Sequence, residues 1–191
     1  MAGSSENKNN SRHGSIEVIC GPMFSGKTEE LLRRLRRARY ANQEMVIFKP
    51  EIDKRYSELN IVSHDANFYP SMLISKAADI LKNRGLARVV ALDEAQFFDD
   101  SLPEIAEKLC KEGVRVILSG LDMDYLGKPF GPMPVLMALA NNISKLSAIC
   151  LVCGEEATHT YRKTKDLDRV MVGSKEIYEP RCRTCFYEGS K

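Results

Sequence analysis

The sequence predicts a doubly wound α/β fold, mainly parallel, with a small lobe appended near the C-terminal end. Three observations carry this expectation. Gly21-Pro22-Met23-Phe24-Ser25-Gly26-Lys27-Thr28 fits G-x-x-x-x-G-K-S/T, the phosphate-cradling P-loop. Short apolar runs alternate with segments of helical periodicity from Ser15 to Leu118. Two C-x-x-C pairs, Cys150/Cys153 and Cys182/Cys185, follow this region.

Residues 1–13 are polar, rich in Ser and Asn and without periodicity, the pattern of a disordered tail. Ser15 to Cys20 alternates polar and apolar side chains, as a strand does, and runs straight into the glycine loop. Glu29 to Tyr40 then places Leu31, Leu32, Leu35 and Ala38 at helical spacing. Strand, loop and helix in this order are the context a P-loop requires. Met45 to Phe48 reads as a second strand stopped by Lys49-Pro50, and Glu51 to Asn60 as a polar surface loop. Ser75 to Arg84 reads as a helix ended by Gly85. Val89-Val90-Ala91-Leu92 is a continuous apolar run, the mark of a strand buried on both faces, and it ends in Asp93-Glu94. Leu102 to Glu112 is a further helix ended by Gly113, and Val114 to Leu118 is another buried strand. Leu146 to Ile149 leads into the cysteines. The expected divisions are a tail over 1–13, a nucleotide-binding domain over 14–149 and a lobe over 150–187.

At 191 residues, with 43% hydrophobic and 28% charged side chains, the composition is that of a globular domain. A formal net charge of +2 is too small to argue for nucleic acid or a membrane surface as partner. No apolar run approaches the roughly 20 residues that cross a bilayer. Met1 to Arg12 lacks the apolar stretch of a secretory leader. Four of the six cysteines sit in metal-type pairs, so a reducing cytoplasm with bound zinc is expected rather than disulfides. Cys20 and Cys110 lie among apolar residues and read as inert core thiols. Arg33, Arg34, Arg36, Arg37 and Arg39 crowd the first helix opposite Leu31, Leu35 and Ala38. We read them as a solvated face or a subunit contact rather than a nucleic-acid footprint.

In a P-loop, successive backbone N–H groups point inward at the β-phosphate, at the positive end of the following helix. Gly21 and Gly26 permit the turns, Lys27 reaches the β- and γ-phosphates, and the Thr28 hydroxyl is suited to ligate Mg2+. Asp93, at the carboxyl end of a parallel strand, is placed to hold that ion through water. Glu94 beside it is placed to take a proton from whatever attacks the γ-phosphate, water or a substrate hydroxyl. The four thiolates suit a closed tetrahedral zinc site, and His159 is a rival ligand that they make unnecessary. The 28 residues between the pairs, 154 to 181, exceed the common ribbon spacing of about 15–20. A segment therefore loops out between the two knuckles.

With Asp93-Glu94-Ala95-Gln96-Phe97-Phe98 and Lys128-Pro129-Phe130-Gly131 added to the P-loop and the knuckles, the chain from Gly14 to Tyr187 resembles the zinc-containing thymidine kinases. The resemblance implies transfer of the γ-phosphoryl of ATP to the 5′-hydroxyl of thymidine, and of deoxyuridine, in nucleotide salvage for DNA synthesis. It implies Glu94 as the catalytic base and Asp53-Lys54-Arg55 as a phosphate-side loop, with Arg55 toward the γ-phosphate. ATP and Mg2+ contacts are implied along the P-loop and Asp93-Glu94-Ala95-Gln96. The looped-out segment would be a lasso lid, its backbone at Arg169, Val170, Met171, Val172 and Gly173 reading the base, with Tyr178 following. Phe97 and Tyr125 would flank base and sugar, while Met23, Leu121 and Thr160 would line the thymine pocket. A homotetramer and end-product inhibition by dTTP are implied as well.

Overall fold

Side-chain parity along the strands decides where the core lies. The computed structural model describes residues 14–52, 60–62, 68–164 and 177–189. In β1 (Ser15–Cys20), Ile16, Val18 and Cys20 enter the core on one face of the sheet, and Ile19 enters the core on the other. β1 leads through the glycine loop into α1 (Lys27–Tyr40), followed by β2 (Met45–Pro50). A two-stranded antiparallel ribbon, β3 (Asn60–Val62) and β4 (Phe68–Pro70), precedes β5 (Met72–Ile74), α2 (Asp79–Asn83) and β6 (Val89–Leu92). One 3-10 turn, Ala95–Phe97, separates β6 from α3 (Leu102–Lys111). Then come β7 (Arg115–Gly120), α4 (Met133–Leu139) and β8 (Asn142–Lys145). Beyond them β9 (Ala148–Ile149) pairs with β10 (Glu156–Ala157), β11 (His159–Arg162) pairs with β12 (Tyr178–Arg181), and α5 (Arg183–Gly189) follows.

Six strands form one sheet in the order β5-β2-β6-β7-β1-β8, every neighbouring pair parallel. The apolar run of β6 splits by parity: Val90 and Leu92 pack with α2, α3 and α4, while Val89 and Ala91 pack with α1. β7 divides the same way, Val116 and Leu118 to one side and Ile117 to the other. This is the doubly wound sheet the sequence predicts. Each fully buried leucine or isoleucine in it contributes about 1.5–3 kcal/mol. One strand, β7, lies between the strand that ends in the P-loop and the strand that ends in Asp93. At the usual spacing between neighbouring strands the two ends are therefore about 10 Å apart.

Three expectations change at this level. The second strand does not stop at Lys49-Pro50 but includes both, because β5 pairs with Pro50 beyond the point where pairing with β6 ends. The helix expected over Ser75 to Arg84 begins only at Asp79, after hydrogen-bonded turns that close from Asp79 N to Lys76 O and from Ile80 N to Ala77 O. Arg34 is not on a solvated face. It is 6% exposed and donates to Glu30, Glu17 and Ser144, while Arg115 also grips Glu17. Burial works to raise the Glu17 carboxyl, but the Arg115 and Arg34 guanidiniums outweigh it and hold the group below the usual carboxylate range. The disordered tail expected over 1–13 lies outside the described residues.

Candidate active site

The P-loop leaves β1 with Gly21 at φ 143°, where a Cβ would lie 2.3 Å from Leu146 O. Phe24 at φ 66° and Gly26 at φ 81° complete the reversals that bring the chain to the head of α1. Glu30 N donates to Gly26 O at 3.0 Å and starts the helical ladder. Within the loop, Ser25 Oγ and Lys27 Nζ both donate to Pro22 O, at 2.8 and 2.7 Å. Burial pulls the Lys27 ammonium below its ordinary range, against the attraction of Glu94, Asp93 and Asp122.

Asp93 closes β6, its N–H held to Phe48 O at 3.0 Å. Burial, with the neighbouring Glu94 charge, pushes its carboxyl up to about 6, and Lys49 pulls the other way. A buried acid in that condition suits a cation. Glu94 sits at φ 53°, ψ 43°, left-handed backbone that a residue with a Cβ adopts at a cost of about 1–2 kcal/mol. Strain of this kind is retained where it aims a side chain. Gln96 Nε2 donates to Glu94 Oε2 at 2.6 Å, and Gln96 Oε1 accepts from Leu121 N at 2.9 Å. P-loop, Asp93-Glu94 and Leu121 thus meet at the carboxyl ends of three adjacent strands, β1, β6 and β7.

The other residues expected around the nucleoside come from the P-loop, the turn after β6, the loop after β7 and the lobe. Phe97 packs edge-on against Phe130, ring centroids 5.5 Å apart. Met23 N donates to Thr160 Oγ1 at 3.0 Å, which ties the P-loop to β11. Tyr125 and Tyr178 meet through a residue that sequence reasoning passed over. The Arg162 guanidinium lies 3.6 Å from the Tyr125 ring centroid and donates to Tyr178 Oη at 2.9 Å. The signal was available, since Arg162 is two residues from Thr160 and so on the same face of β11. Lys49 was also passed over; the parallel register Phe48↔Leu92 sets it beside Asp93. Asp122, 6% exposed and paired with Lys145 at 2.9 Å, is the third. Burial, then Asp122, pushes the Cys20 thiol up to about 11, as an inert core thiol requires. Asp53, Lys54, Arg55 and the stretch from Arg169 to Gly173 lie outside the described residues.

In the lobe, the Sγ atoms of Cys150, Cys153, Cys182 and Cys185 all lie within 4.8 Å of one another. The first knuckle turns through Gly154 at φ 80°, with Cys150 N donating to Glu155 O and Gly154 N to Cys150 O. The second opens α5, where Cys185 N donates to Cys182 Sγ at 3.4 Å. Burial works to raise the Cys150 thiol, yet backbone N–H groups of Cys182, Cys153 and Val152 hold it down to about 6, while Cys185, hydrogen-bonded to the other sulfurs, is pushed up to about 12. Four soft donors closing on one point fit a structural metal. His159 is not among them; its Nδ1 meets Thr158 Oγ1 and its ring packs on Phe186 at 4.6 Å.

A sequence model described as Thymidine kinase matches residues 14–186. The thymidine kinase of Porphyromonas gingivalis is 53% identical, over 92% of this chain and 86% of its own. That of Bacteroides thetaiotaomicron is 52% identical, over 92% and 88%. That of Rhodothermus sp. is 52% identical, over 92% and 84%.

Proposed function

The chain belongs to the thymidine kinase family and phosphorylates thymidine; from that premise we propose that ATP is the donor, that the acceptor atom is the 5′-hydroxyl, and that Glu94 is the base. Deoxyuridine would be accepted as well. The observation that carries this reading is the Glu94 carboxylate, set on left-handed backbone two residues beyond β6, at the same end of the sheet as the phosphate loop and one strand removed from β1. Glu94 takes the proton as the 5′-oxygen attacks the γ-phosphorus, and the bond to the β-phosphate oxygen breaks with its electron pair leaving on ADP. Lys27 and the loop N–H groups hold the β- and γ-phosphates, and Asp53-Lys54-Arg55 would serve as a phosphate-side loop, with Arg55 suited to the γ-phosphate as charge develops. The Thr28 hydroxyl and Asp93 would hold Mg2+, which when bound neutralises charge on the phosphates.

Phe97 and Tyr125 would flank the nucleoside, with Met23, Leu121, Thr160 and Tyr178 around the base and the backbone of residues 169–173 reading its edge. Cys150, Cys153, Cys182 and Cys185 would hold Zn2+, fastening both ends of that lasso. The division into residues 14–149 and 150–187, a cytoplasmic homotetramer and inhibition by dTTP complete the proposal. Glu94→Gln is expected to lower thymidine-dependent ADP release about 10²–10⁴-fold while ATP still binds. Full turnover in that variant would remove Glu94 from the mechanism.

A further inference from the structure

Gln96 is 2% exposed, and both ends of its amide are spent on protein groups. The orientation is forced: Leu121 N–H is a donor, so Oε1 must face it, which leaves Nε2 for the Glu94 carboxylate. Its seat is narrow. A Cβ at Gly120 would lie 2.8 Å from Gln96 Oε1 and 2.8 Å from Met133 Sδ. A Cβ at Gly131, itself at φ 48°, would lie 2.3 Å from Gln96 O. The two glycines therefore clasp Gln96 by side chain and by backbone, and both border the loop that carries Tyr125 and Phe130.

The resemblance had placed Gln96 among the cofactor contacts. The geometry points to a different role: we propose that Gln96 is a positioning residue, which aims the Glu94 carboxylate at the attacking hydroxyl and ties that aim to the loop beginning at Leu121. The inference rests on Glu94 being the base. Glu94 has three side-chain torsions and needs a fixed oxygen; a charge-assisted hydrogen bond from a wedged amide supplies one. Displacements of about 1 Å at such a group cost on the order of 10²-fold in rate. Because the same amide accepts from Leu121 N, movement of the pocket wall is transmitted to the base through a single rigid group. Leu121 and Tyr125 would thereby report occupancy of the pocket to the carboxylate, and productive aim would accompany a seated nucleoside.

The test is Gln96→Met, similar in length and unable to donate or accept, studied alone and combined with Glu94→Gln in single-turnover assays with radiolabelled ATP. The expected result is a kcat about 10–100-fold lower, with KM for thymidine and ATP within about threefold. In the Glu94→Gln background the same substitution should change the residual rate less than about twofold. Equal losses in the two backgrounds would mean a merely structural role. A loss confined to KM would mean direct nucleotide contact, and an unchanged kcat would mean no role. Each of these overturns the inference. Should Gln96→Met not fold, Gln96→Leu, which likewise can neither donate to Glu94 nor accept from Leu121 N–H and adds no charge, is read against the same three outcomes. Full turnover in Glu94→Gln alone would instead remove the reading beneath it, so the two failures are separable.

Discussion

The sheet and the cysteine lobe are built on different physics. The sheet is sealed by two apolar clusters, one on each face, with Val18, Ile19, Val90, Leu92, Ile117 and Leu118 all inaccessible to solvent. The lobe's cluster is Ala148, Cys150 and Ala157, with Cys182 and Cys185 against it, while Ile149, Leu151 and Val152 stand exposed. A phosphate loop needs backbone fixed to fractions of an ångström, and a deep core provides that. The lobe has a smaller apolar interior, with Phe186 packed among His159, Tyr161 and Tyr187, and beside it the four thiols placed to hold a metal. The site draws residues from both, so its two halves should fail separately.

Removing a lobe ligand should have the largest effect. Cys153→Ser is expected to abolish metal retention and weaken thymidine binding more than about tenfold, with ATP affinity within about threefold, because a structural metal carries much of its fold's stability. Equal loss of both ligands by calorimetry would show that the cluster supports the sheet too. Next comes Leu118→Ala, which empties a fully buried site in β7 and should cost about 2–5 kcal/mol in urea unfolding. Here thymidine and ATP binding should fall together.

Glu17→Gln should cost about 2 kcal/mol at pH 7, since it removes the charge that pairs with Arg115 and one of the two carboxylates that pair with buried Arg34. The folded-state pKa of Glu17 is depressed, so its contribution is complete above the unfolded value of about 4.3 and disappears as pH falls through the lower folded value. The gap between wild type and variant should therefore close in acid, and a gap constant from pH 7 to pH 3 would refute the ionic account. The smallest effect belongs to the seam. Thr160→Val deletes the acceptor for Met23 N and should cost about 1 kcal/mol. It should raise KM for thymidine and ATP alike, unlike the lobe variant.

The sequence foretold the sheet better than it foretold the polar interior. β1, its loop and α1 were legible because parity, motif and helical spacing agree over one continuous stretch. Arg34 was misread because charge was allowed to override position: 31, 34 and 38 follow helical spacing, which turns Arg34 inward beside Leu31 and Ala38. Glu17, alternating with Val18 on β1, was the matching signal from another element. α4, β8 and the strands of the lobe were not foretold, being short and, in β8, largely exposed. At the site, Asp93 and Glu94 were legible at a strand end and Arg162 by its parity with Thr160 on β11, whereas the Gln96 bridge to Leu121 and the Tyr125 ring under Arg162 come from loops that meet their partners only in the folded chain.

The place of β1 in the sheet also sets a clock. Its neighbours are β7 and β8, so the strand that launches the phosphate loop lacks its first partner until Gly120 has been synthesised and its second until Lys145 has followed. At about 5–20 residues per second, that leaves Val18 and Ile19 waiting on the nascent chain for on the order of ten seconds. Closing the seam between Met23 and Thr160 spans a further stretch, 137 residues in all. The first motif to leave the ribosome is thus among the last to become functional, and a truncated product would carry every P-loop residue in order without the strands that give the loop its shape.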